Sequence, residues 1–68
     1  MIDVKKLKGK MVEMGVTQKD LATKIGMSTN SLNNKINGKR AFNTEEICHI
    51  CEMLQISDDV LKAQIFLR

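Results

Sequence analysis

Four asparagines, Asn30, Asn33, Asn34 and Asn37, crowd one short stretch of this 68-residue chain. The amide of asparagine donates and accepts at once. It is the side chain whose two edges pair with the N6/N7 edge of adenine in a major groove. If the stretch is helical, ~100° per residue puts these four within an arc of roughly 100°, with Thr29 at its border and Leu32 and Ile36 on the opposite side. Asparagine is a mediocre helix former, so the arc does not serve helix stability. A merely solvated face would use Glu and Lys more readily. Cations and short polar side chains flank the arc. Gln18 and Lys19 precede it, and Lys39 and Arg40 follow it. Thr17, Ser28 and Asn37 complete the candidate set for phosphate oxygens, since hydroxyls and amides as well as cations make such contacts. Thr29, Asn30, Asn33 and Asn34 are the candidates for base edges.

A second group, Cys48-His49-Ile50-Cys51, has the C-x-x-C spacing. A tetrahedral zinc site needs four ligands, and the chain has no second Cys/His pair. A redox role would need a reactive cysteine at a helix N-terminus in a thioredoxin-like setting. Cys51 instead falls on an apolar stripe. With a single histidine and no nucleophile–base pair, the sequence offers no catalytic constellation, and no cofactor or metal is expected.

The charge balance agrees with a polyanionic partner. The net charge is +3. Residues 1–43 hold nine cations against three acids, a net of +6. Residues 44–68 hold two cations against five acids, a net of −3. Such asymmetry assigns one face to a polyanion and another to something else. No stretch approaches the ~20 apolar residues of a membrane span, and the N-terminus lacks the apolar core of a signal peptide. The expected compartment is a reducing cytoplasm.

The elements that must position these groups are helices. The chain has no proline, two phenylalanines as its whole aromatic content, and no β-branched runs. At this size one domain is expected, 1–68, burying roughly 60% of the surface that the unfolded chain exposes. Five helices follow from periodicity and capping signals. The first runs from about Asp3, as N-cap, to Met14, with Val4, Leu7, Met11 and Met14 at helical spacing and Gly15 as its stop. The second begins at the N-cap Thr17, with Asp20 in capping-box position. It turns Leu21, Ala22 and Ile25 inward and ends at Gly26. Ser28 caps the third, which carries Leu32 and Ile36 and stops at Asn37-Gly38. Thr44 caps the fourth, with Ile47, Ile50, Cys51 and Leu54 as its stripe. Ser57 caps the fifth, followed by Val60, Leu61 and Ile65.

Ala22, Gly26 and Leu32 stand at the spacing of a helix-turn-helix. The small side chain permits close crossing, the glycine permits the turn, and the leucine pins the next helix. A generic αα-hairpin could carry the same triplet. With the segment Thr17-Gln18-Lys19-Asp20-Leu21-Ala22-Thr23-Lys24-Ile25-Gly26, then Ser31-Leu32, Asn37-Gly38-Lys39-Arg40 and Leu54-Gln55-Ile56-Ser57, the chain resembles the Cro/repressor-like helix-turn-helix family (the XRE type) over nearly its whole length. The resemblance implies an all-α, five-helix lambda-repressor-like DNA-binding domain whose second and third helices form the helix-turn-helix. It implies a transcriptional regulator, a phage or prophage Cro-like repressor reading double-stranded operator DNA, usually as a dimer. By the same resemblance, Gln18 would contact phosphate, and Thr29, Asn30 and Asn34 would read bases. One departure is plain. Lys35 stands where the family has an apolar residue and Ile36 where it has an acid, so Lys35 is expected to lay its stem along the core and snorkel, with Ile36 making up the lost packing.

A single recognition helix reads too few base pairs to select a genomic site, so a homodimer is expected. The consecutive residues Ile65, Phe66 and Leu67 cannot all face one core. At least one should be exposed, and this C-terminal tail, with the outward side of the last helix, is the expected contact; the alternative is a frayed terminus or a tail folded back over the domain's own core. The competing reading is a protein-interaction module, for instance an antitoxin whose acidic C-terminal half grips a partner.

Overall fold

The computed structural model describes residues 2–66, and these form five α-helices with no strand among them. They are α1 (Val4–Met14), α2 (Gln18–Ile25), α3 (Thr29–Ile36), α4 (Thr44–Met53) and α5 (Asp59–Phe66). The molecule measures 28 × 24 × 21 Å. α2 packs against α3 and α4, while α1 packs against α5.

Each start is set by a side chain that satisfies a free backbone N–H. The Asp3 carboxylate accepts from Lys6 N–H at 3.1 Å. Thr17 and Asp20 form the expected reciprocal box at the head of α2, at 3.1 and 2.9 Å. Ser28 Oγ accepts from Ser31 N–H. The last two starts differ from the sequence reading by one residue. Asn43, not Thr44, caps α4, in a reciprocal box with Glu46. Asp58, not Ser57, accepts from Val60 N–H, and its carbonyl takes the first helical bond, from Lys62 N–H.

The ends of α1, α3 and α4 share one closure, in which two successive N–H groups beyond the helix turn back onto its last carbonyls. At α3, Gly38 N–H reaches Lys35 O and Lys39 N–H reaches Asn34 O. Of the Asn37-Gly38 pair only the glycine takes positive φ, at 83°. At α4 the left-handed position falls on Gln55, the one non-glycine with positive φ among the described residues.

The core is aliphatic. Leu7, Met11, Leu21, Ala22, Leu32, Ile36, Ile50, Cys51, Leu54, Ile56, Ile65 and Phe66 are buried in one cluster. The expected stripes account for most of it. Outside those stripes Ile56 and Phe66 are buried as well, so that Ile65 and Phe66 are buried side by side, and the Phe66 ring meets Phe42 edge to face at 6.2 Å. α5 spends them on its own core rather than presenting them, and Leu67 lies outside the described residues. The apolar side chains that α1 and α5 do expose are Val12 and Val60.

Gly9 sits in the middle of α1, where a Cβ would meet nothing within 4 Å. Its only effect there is backbone freedom in the unfolded chain. Gly9→Ala is expected to stabilise the domain by about 0.5–1 kcal/mol in chemical denaturation. A loss of stability would show that the outer face of α1 is not open.

Candidate nucleic-acid interface

α2 and α3 are joined by Gly26, Met27 and Ser28. Ala22 is buried, Gly26 turns the chain at φ 85°, and Leu32 is fully enclosed. Gly26 and Met27 N–H both bond Ala22 O, which closes α2 and points the chain into α3. The expected triplet therefore works as a helix-turn-helix hinge.

Burial of Leu32 and Ile36 fixes the rotation of α3 and so turns the opposite face outward. Thr29, Asn30, Asn33 and Asn37 are exposed, and Asn34 is half-buried. Asn37 Nδ2 donates to Asn33 Oδ1 at 3.2 Å, so these two partly satisfy each other. Asn30 and Asn34 do not share in that bond, Asn30 exposed and Asn34 half-buried. Thr17, Lys19, Ser28, Lys39 and Arg40 are exposed and Gln18 is half-buried. The candidates thus lie at the surface, Gln18 and Asn34 only in part.

The head of α2 is less attractive to an anion than its sequence implies. The Asp20 carboxylate folds back onto Thr17 N–H at 2.9 Å. That bond, the Thr17 hydroxyl and the Lys19 charge hold its pKa below the ordinary value. The carboxylate keeps its negative charge beside the helix start and offsets the dipole there. The polar side chains that remain at this end are those of Gln18 and Lys19.

The seating of α3 follows the expectation for Ile36 and refines it for Lys35, whose charged head meets a carboxylate rather than open water. Ile36 takes the core position and is fully enclosed. Lys35 reaches across to α4, where Nζ stands 2.7 and 2.6 Å from the two carboxylate oxygens of Glu46. Burial pushes the Glu46 carboxyl up, but the Lys35 hydrogen bond, the Asn43 N–H and the Lys35 charge together hold it below its usual value. Periodicity cannot find this pair, because it joins two helices across a loop.

Cys48 is exposed and Cys51 buried, both as free thiols. Burial raises the Cys51 thiol, with Lys62 pulling the other way, so this sulfur is a poor nucleophile. His49 Nε2 stands 3.8 Å from Glu45 Oε1. Among the described residues no three His, Cys, Asp or Glu side chains gather as a metal site, and no helix is long and apolar enough to cross a membrane.

Fold and surface together define a small all-α domain built on a helix-turn-helix, with a neutral amide-rich face on its second member. Residues 1–67 match the family described as protein of unknown function (DUF739), and the chain belongs to that family. No curated protein and no solved structure matches it significantly.

Proposed function

We propose that this protein binds double-stranded DNA sequence-specifically and regulates transcription, as a repressor that occludes a promoter. The observation that carries this reading is the outward face of α3. Asn37 ends the helix through its backbone, none of these asparagine side chains caps a helix start, and the one bond among them joins Asn37 to Asn33. Placed in a major groove, Asn30 and Asn34 would meet base edges, while Gln18, Lys19, Lys39 and Arg40 would meet the backbone on either side. The resemblance to Cro-like repressors supports the same reading. It adds a phage or prophage origin and action in the cytoplasm of a bacterial host.

Two copies on a two-fold operator would supply the missing specificity, with half-sites about 34–36 Å apart. A body 28 Å long can be set side by side at that spacing. Since Ile65 and Phe66 are buried, the apolar surface that α5 offers to such a contact is at Val60.

The test is a salt titration of duplex binding by the purified chain. The double variant Lys39→Ala, Arg40→Ala should flatten the log–log slope by about 1.8, at ~0.9 for each lost phosphate contact. An unchanged slope removes both residues from the footprint. Absence of salt-dependent binding by the native chain would favour the interaction module.

A further inference from the structure

Lys35 is the one charged side chain on α3, and it lies on the flank of the core stripe away from Asn33. Its bond to both oxygens of Glu46 leaves the two side chains 17% and 13% exposed. Glu46 Oε1 accepts a second bond, from Asn43 N–H at 3.0 Å, and Asn43 Oδ1 accepts Glu46 N–H at 2.8 Å. One carboxylate thus holds the end of α3 and the start of α4 at once. Between those two points runs the loop 37–43, which carries the exposed Lys39 and Arg40.

The rest of that loop is thinly held. Gly38 and Lys39 N–H close the end of α3, and Phe42 rests on Phe66. Arg40, Ala41 and Phe42 donate no hydrogen bond to another backbone group among the described residues. An exposed ion pair would add little here. This one is shielded and charge-assisted at both oxygens, so losing either partner strands the other.

We infer that the Lys35–Glu46 pair is a positioning device for DNA contact, stapling the ends of the loop 37–43 so that Lys39 and Arg40 meet the phosphates beside α3. The inference rests on the DNA-binding reading above. Its particular content is that Lys35 acts through the loop and not as a phosphate contact itself.

Two variants of opposite charge separate positioning from electrostatics. Lys35→Met removes a positive charge and Glu46→Gln removes a negative one. Glutamine also serves in a capping box, so the head of α4 stays capped. Direct electrostatics would weaken duplex binding in the first and strengthen it in the second. Positioning weakens both, by at least about tenfold at the selected site, with the salt slope flattened by up to about 1.8. Lys35→Arg, which keeps the pair, should bind as the native chain does. Thermal melts by circular dichroism establish that each variant is folded at the assay temperature. Amide hydrogen exchange at Gly38 and Lys39 reads the staple without DNA and should quicken in both pair-breaking variants. If the native chain binds duplex and the two variants shift in opposite directions, or neither shifts, the staple is overturned while the DNA reading stands. A native chain with no salt-dependent duplex binding overturns the DNA reading, and the role of the pair in DNA contact falls with it.

Discussion

A chain carrying Asn30→Ala and Asn34→Ala together will hold random duplex almost as well as before and lose its preference for a selected site. Each good amide–adenine pair contributes about 1–3 kcal/mol of discrimination, so the double variant should lose roughly 2–6 kcal/mol at the cognate sequence. The two residues are one turn apart, and their losses need not add. The choice of these two follows from the surface of α3. Asn33 and Asn37 already bond to each other and have less to offer. Phosphate contacts lie elsewhere, on Lys39 and Arg40 among others, and should keep the sequence-independent part of the binding intact. The measurement is a competition titration between the selected site and random duplex. An equal loss on both would show that these amides carry no sequence information.

Replacing Leu32 by alanine should cost about 2–5 kcal/mol of folding stability, because the cavity left behind adds to the lost transfer energy. A domain of 68 residues has about 3–10 kcal/mol in total. The variant should therefore lose a large part of its stability, with Tm lower by roughly 10–40 °C. Leu32 is fully enclosed and is the residue that seats α3 against the rest of the core. Equilibrium denaturation reads the effect. A change below about 1 kcal/mol would mean that the site collapses around alanine, and that α3 is seated by Ile36 instead.

The sequence carried more of the fold than of its joints. Hydrophobic periodicity located all five helices, since a stripe such as Ile47, Ile50, Cys51 and Leu54 has one reasonable arrangement. It placed the start of α4 one residue late and the start of α5 one residue early. In each case two capping residues stand side by side, Asn43-Thr44 and Ser57-Asp58, and local propensity does not separate them. For α4 the decisive signal was present, because Glu46 stands three residues after Asn43, as a capping box requires. For Gln55 there was none. A glutamine at positive φ is imposed by the closure that delivers Ile56 into the core.

The site was legible as far as its residue types. The asparagine arc follows from the burial of Leu32 and Ile36, which the alternation of α3 already fixes. The Lys35–Glu46 pair does not follow, being a contact across a loop between two helices. Its trace in the sequence was the lysine standing where an apolar residue was expected. Burial of Ile65 and Phe66 was one of two open readings of the tail, and it depends on what α1 and the Phe42 ring place over them.

The union of α1 and α5 bears on the order in which the chain can assemble. Asp3 N–H donates to Ile65 O at 2.7 Å, and Lys6 Nζ meets Gln64 Oε1 across 58 residues of chain. Closing so long a loop in an unfolded chain costs more entropy than the short turns between α2, α3 and α4. Local contacts can form before that cost is met, and distant ones repay it only after closure. The three central helices, which carry the asparagine face and its flanking loop, are thus the natural nucleus. The first and last helices seal the structure as a late, coupled pair. Substitutions in that pair would mainly speed escape from the native state, whereas Leu32, in the nucleus, would govern how quickly it is reached.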